Sequence, residues 1–204
     1  MYRQLLALLV LMFIGAGAQA QSSSLNKIKK RFNDGEVFAA EMAHTFIDSF
    51  TFDTVRTSGK VWIGLNRYKM IIGERYILVD DSTSTVYDRL KNRIIISDYD
   101  PSDDDYAPSR FLSATSTEYN VSERRDRENR RNRRVDLTSA DPFSIFSKVE
   151  IVLDGTQTPL QIKAEDQSKN LLISDFSQGS FAQPGSEVFK LNHPADVEVV
   201  DLRN

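Results

Sequence analysis

Residues 59–89 read GKVWIGLNRYKMIIGERYILVDDSTSTVYDR. The runs GKVWIGL, RYKMIIGE and both halves of RYILVDDSTSTVYDR are dense in β-branched and aromatic residues, and they close at glycine or at Asp-Asp, which are turn signals. NRIIISDYD then adds one more such run, closed by Asp-Pro. The connections are far too short for the crossovers that parallel strands need, so this part of the chain is predicted to be an antiparallel meander.

Upstream, HTFIDSFTFD alternates, with Phe46, Asp48, Phe50 and Phe52 on one face, and Ser58-Gly59 reads as the turn into the next strand. Before it, LNKIKKRFND places Leu25, Ile28 and Phe32 at helical spacing with Gly35 as a stop, which predicts an amphipathic helix over 25–34. A second helix is expected over 36–43.

Downstream the meander breaks at DYDPSDDDYAPSRFLSAT, where five aspartates fall between Asp98 and Asp105. Carboxylates suit Ca²⁺, but the glycine and glutamate of an EF-hand loop are missing, so a solvated acidic loop is the favoured reading and no metal site is assigned. Pro108 opens the first turn of a short helix carrying Phe111 and Leu112. TEYNVSE and RRVDLTS then form a strand pair joined through ERRDRENRRNRR, which has seven arginines in twelve positions. A solvated hairpin tip accounts for this run, with steering toward anionic headgroups or an acidic patch as the functional alternative. SKVEIVLDG, TPLQIKAED, NLLISDFSQ and SEVFKLNHP complete a mainly β (α+β) chain of about ten or eleven strands. A sheet that large curls into a half-barrel or closes, with short helices over its concave face.

The N-terminus has Arg3, an apolar run from Leu5 to Ile14, and Ala18-Gln19-Ala20, the pattern of a cleaved secretory signal over residues 1–20. The apolar run is shorter than the roughly 20 residues of a bilayer-spanning helix. Residues 21–204 are expected to form a single domain. There is no cysteine, which removes disulfides, thiol catalysis and a lipoprotein-type acyl anchor. The formal net charge is −3, and losing Arg3 with the leader makes it more negative, a poor match to phosphate-driven nucleic-acid binding.

The sequence lacks G-x-S-x-G, HExxH, P-loop and G-x-G-x-x-G motifs, and it has only His44 and His193. Both histidines read as structural, and the chain as neither an enzyme nor a cofactor binder. It does have apolar mass: twelve Phe, seven Tyr and one Trp, spread over nearly every strand. The concave side of such a sheet is either filled by core or hollow for an apolar ligand, and periodicity leaves both open.

The order of these parts resembles the outer-membrane lipoprotein carrier protein family (LolA-like). The resemblance runs from the first helix through GKVWI and RYKM, ILVDDSTSTVYDR, SKVEIVLDGTQTPLQIKAEDQSKNLLISDF and EVFKLNHPADVEVVD, roughly residues 25–201. It implies an incompletely closed antiparallel barrel whose helices lid a cavity for lipoprotein acyl chains. It also implies a periplasmic location, an inner-membrane ABC transporter complex as donor and an outer-membrane lipoprotein acceptor as receiver. An exported lipid-binding or envelope-assembly module without lipoprotein transfer is the alternative, and a monomer is expected. Where the family has an Arg-Pro pair that latches the lid, this chain has Leu65-Asn66, so Arg67 is the candidate latch. By shared strand face, the expected cavity lining is Phe46, Phe50, Trp62, Tyr68, Met70, Ile72, Ile151, Leu153, Leu160 and Ile162, with Phe111 and Leu112 in the lid.

Overall fold

The computed structural model describes residues 22–100, 104, 107–114, 119–139 and 141–203. The expected leader, residues 1–20, lies outside them, as do Asp103 and Asp105 of the acidic stretch. One sheet holds twelve strands: β1 (Val37–Ile47), β2 (Thr54–Ile63), β3 (Arg67–Ile72), β4 (Arg75–Asp80), β5 (Thr83–Asp88), β6 (Arg93–Asp98), β7 (Asn120–Arg125), β8 (Arg133–Thr138), β9 (Phe146–Leu153), β10 (Pro159–Asp166), β11 (Leu171–Ala182) and β12 (Glu198–Asp201). The strand order is β12-β6-β5-β4-β3-β2-β1-β11-β10-β9-β8-β7, so the sheet is not closed and its edges are β12 and β7.

Helix α1 (Ser23–Asn33) forms where the spacing predicts. The Ser22 side chain accepts a hydrogen bond from the Leu25 amide at 3.1 Å, capping the N-terminus, and Gly35 follows in the left-handed region at φ 83°. Leu25, Ile28 and Phe32 are buried on its inner stripe, each contributing roughly 1.5–3 kcal/mol. They join one core cluster with Val61 and Ile63 of β2, Val135 and Leu137 of β8, and Ile151 and Leu153 of β9. A single helix reaching strands that far apart in the order requires the sheet to curl around it. Helix α2 (Pro108–Leu112) covers another part of the same concave face, with Leu112 fully buried.

Several expectations are corrected. The helix expected over 36–43 is absent and Val37 to Ala43 are strand: Ala and Met favour helix locally, but β1 is hydrogen-bonded on both sides, to β2 and β11, and tertiary pairing overrides propensity. HTFIDSFTFD is not one strand. The Asp48 carboxylate accepts from the amides of Phe50 and Thr51 at 2.8 and 2.7 Å, which turns the chain after Ile47. Ser58-Gly59 lies inside β2 instead of at a turn, paired with Ala43 and Met42 of β1, and a Cβ on Gly59 would stand 1.9 Å from the Ile71 carbonyl oxygen of β3. Only glycine permits that close approach of two backbones.

SEVFKLNHP forms a turn instead of a strand, and the added strand is β12, which runs parallel to β6. The segment between β11 and β12 makes the crossover that this parallel pairing requires, over the convex face of β3 to β5. There Lys69 Nζ donates to the Lys190 carbonyl at 2.6 Å, and Tyr87 is buried with its ring centroid 6.4 Å from that of His193.

A candidate ligand cavity on the concave face

A cavity of about 200 Å³ lies between the sheet and α2. Its walls are Met42 and His44 of β1, Met70 and Ile72 of β3, Phe111 of α2, Phe146 of β9, Ile162 and Ala164 of β10, and Leu172, Ser174 and Phe176 of β11. The alternation of the strands produces this surface: Met42 and His44, Met70 and Ile72, Ile162 and Ala164, and Leu172, Ser174 and Phe176 are each spaced by two and share one face. Phe111 closes the space edge-on against Phe146, with ring centroids 5.4 Å apart.

The polar atoms on the walls come chiefly from one pair. His44 Nδ1 lies 3.0 Å from Ser174 Oγ. Burial holds the His44 imidazole below its ordinary pKa, so it is neutral at neutral pH. A space lined almost wholly by carbon, with one neutral hydroxyl–imidazole pair, accepts an apolar chain by area and offers a single point for a polar end.

Of the residues expected to line this space, Met70, Ile72, Ile162 and the lid residue Phe111 do so. Leu112 is fully buried beside them in the core cluster. Ile151 and Leu153 are likewise solid core. Phe46 is half-buried one alternation beyond His44, and Leu160 is half-buried next to the register shift between Pro159 and Gln161; neither reaches the cavity. Trp62 alternates with the fully buried Val61 and Ile63 and so faces the convex side, where Lys69 Nζ sits 5.6 Å from its ring centroid. Phe50 is 90% exposed in the turn that Asp48 builds.

Tyr68 is concave but belongs to a smaller cluster with Val79 and Ala107. Its hydroxyl and that of Tyr99 both donate to the Asp104 carboxylate at 2.9 Å. Burial, then the Asp104 charge, pushes the Tyr68 phenol up, and burial with the Asp104 hydrogen bond does so for Tyr99, so both remain protonated donors. This arrangement ties the chain just before α2 to β3.

Arg67, the candidate latch, borders a cleft with Phe32 of α1 and makes its ring contact elsewhere. It alternates with Tyr68 and therefore points to the convex face, where its guanidinium lies 4.2 Å from the centroid of the Phe189 ring. His44, in turn, is a mid-strand cavity residue and not a helix-to-strand junction. Seven lining residues were missed: Met42, His44, Leu172, Ser174 and Phe176 had a signal in the alternation of EMAHTF and LLISDF, and Ala164 in its spacing of two from Ile162, whereas Phe146 had none of this kind.

The seven-arginine stretch forms the β7–β8 hairpin at the far end of the sheet. Arg124 and Arg134 sit directly across from one another, and acids on neighbouring positions offset them. Arg124 reaches Asp136 at 3.1 Å, and Arg134 pairs with Glu150 and, at 3.3 Å, with Asp126. Arg125, Arg127, Arg130 and Arg131 are exposed.

No family model matches the chain, and no curated protein matches it. Among solved structures, an uncharacterized conserved protein from Thermus thermophilus overlays with a TM-score of 0.55 at 13% identity, covering 88% of this chain and 99% of that one. Weaker overlays are with a chain of the Pseudomonas aeruginosa MucA/MucB complex (TM-score 0.46, 14% identity, 83% and 62% covered) and with a LolA superfamily protein from Nitrosomonas europaea (0.44, 13%, 82% and 97%). The likeness is one of fold: the open sheet with helices on its concave face, which the LolA-like order of sequence motifs implied, is the architecture observed, antiparallel except for the β12–β6 pair.

Proposed function

We propose that this protein is an exported, non-enzymatic carrier that holds lipid acyl chains in the concave cavity, and that its cargo is lipoprotein moved from the inner to the outer membrane. The observation that carries the reading is the space between α2 and the sheet, whose walls are almost wholly apolar. It exceeds the ~150 Å³ of an apolar cavity that stays dry and takes up benzene. Each methylene moved there from water contributes about 0.8 kcal/mol, enough to hold a chain without a polar grip and to release it when α2 moves. The sequence resemblance over residues 25–201 and the signal pattern of residues 1–20 support a periplasmic donor and acceptor for such cargo.

Cavity size favours a second reading alongside the first. As formed, about 200 Å³ admits part of one acyl chain and not three, so a triacylated lipoprotein needs α2 displaced, whereas a single-chain lipid does not. The deciding experiment incubates spheroplasts bearing a labelled triacylated lipoprotein with the mature protein and the energised transporter. A soluble complex supports lipoprotein transfer. Extraction of phospholipid or fatty acid without lipoprotein supports the simpler lipid carrier, and no extraction of either removes both.

A further inference from the structure

Ten large hydrophobic side chains are exposed among the described residues, and their placement is uneven. The four most exposed are Phe143 (91%), Phe50 (90%), Leu90 (82%) and Phe52 (78%). The antiparallel order puts all four at the same end of the sheet, in the β1–β2 turn, the β5–β6 turn and the loop before β9. The arginine-rich β7–β8 turn lies at the opposite end.

Three segments at this end are stitched together through the β10–β11 turn. The Ser49 amide donates to Asn170 Oδ1 at 2.9 Å and its hydroxyl to the Ser168 carbonyl, while Gln167 donates from its amide to the Ile145 carbonyl at 3.2 Å and from its side chain to the Ser144 carbonyl at 2.9 Å. Asp48 and Asp141 fix the backbones that display Phe50 and Phe143 by accepting from their amides at 2.8 and 2.9 Å. The phenylalanines are thus held outward on a built rim.

We propose that this rim docks on a phospholipid bilayer with neutral, zwitterionic headgroups, with Phe50, Phe52 and Phe143 entering the boundary between headgroups and acyl chains. Three observations select that partner. The apolar groups are separate projections without a polar atom, which suits a deformable apolar boundary better than a shaped protein surface. The rim is continuous with the cavity: Phe146, a cavity wall, directly follows Ile145, and Leu172 follows the β10–β11 turn. In the segments that carry the three phenylalanines Asp48, Asp53, Asp141 and Asp166 outnumber Lys169, which is paired with Glu165, while the turn of Leu90 adds Arg89, paired with Glu74, and Lys91, so the phenylalanine rim has no cationic excess to select anionic headgroups. Docking at this end would give a chain leaving the membrane a short path into the cavity; that purpose rests on the carrier reading, though the rim itself does not.

The test is flotation of the full mature chain with phosphatidylcholine vesicles at low and high salt. Wild type should float in both, and the triple variant Phe50→Ser, Phe52→Ser, Phe143→Ser should partition about tenfold or more weakly. The same variant should bind a fluorescent fatty acid in vesicle-free buffer as wild type does. Absence of wild-type flotation, equal flotation of the variant, or binding that needs phosphatidylglycerol and is lost on charge reversal of Arg127, Arg130 and Arg131 would overturn the proposal. So would a wild-type dimer that the variant dissociates without any flotation. If flotation depends on the phenylalanines but no fatty acid binds, the rim stands and the carrier reading falls.

Discussion

Ser24 and Glu123, 99 positions apart, meet at the N-terminus of α1: the Ser24 amide and hydroxyl donate to the Glu123 carboxylate at 3.1 and 2.8 Å. The Ser22 hydroxyl adds a third bond at 2.8 Å. One acid at the edge of the arginine-rich stretch thereby fastens the covering helix to the edge strand β7, where a helix N-terminus favours negative charge. Burial alone would raise the Glu123 pKa, but the hydrogen bonds from Ser24 and Ser22 outweigh it and hold the carboxyl below its ordinary range. Glu123→Ala should lower stability by about 1–2 kcal/mol, read as a shift in urea midpoint. The wild-type contribution is complete above the ordinary carboxyl value of roughly 4.3 and is lost as pH falls through the lowered value, so the two proteins should converge in acid.

His44 gives a second, higher window. Its folded pKa is lowered by burial, so the unfolded chain binds the proton more readily, and stability falls as pH drops below roughly 6.5. Wild type should lose stability between about pH 7.5 and about pH 5.5, and His44→Gln should lose less over the same interval. Equal slopes in denaturant titrations would show that His44 does not titrate as a buried group.

Gly59 pairs with Met42 on one side and Ile72 on the other, two cavity residues. A side chain there meets the Ile71 carbonyl, so Gly59→Val should cost about 3 kcal/mol or more, or prevent folding. Gly185, where an added Cβ meets nothing, is the control, and Gly185→Ala should change the thermal midpoint little.

Tyr68 and Tyr99 share Asp104 and anchor the approach to α2. The double substitution Tyr68→Phe, Tyr99→Phe removes both bonds and should weaken that anchor by about 1–3 kcal/mol. Faster amide exchange in residues 109–112, with β9 to β11 unchanged, is the expected signature.

Much of the fold was legible because its signals are local. The period-2 runs of residues 59–98 and 146–176 and the 25–28–32 stripe each name their own element, and short connections force antiparallel order. What misled were places where long-range pairing decides. Val37–Ala43 carries helix-favouring residues yet is held between two strands, and Phe50 lies in register with Phe46 in the sequence but beyond a turn that the Asp48 side chain builds. Trp62 and Arg67 show the limit for the cavity: strand face follows from alternation, but which face is concave depends on where α1 and α2 settle. Leu112, Ile151 and Leu153 read like cavity positions for the same reason, since core and cavity residues are both apolar and inward and differ only in whether a neighbour fills the space.

The most direct test fills that space. Ala164 is buried in the cavity wall, so Ala164→Phe adds a ring where an acyl chain would lie, at a cost of about 1–3 kcal/mol in overpacking. Titration of a fluorescent fatty acid into the mature protein should give saturable binding for wild type. Ala164→Leu should bind more weakly and Ala164→Phe should bind none, with both variants folded by circular dichroism. Absence of binding by wild type, or equally tight binding by a folded Ala164→Phe protein, would contradict an acyl chain held in this cavity.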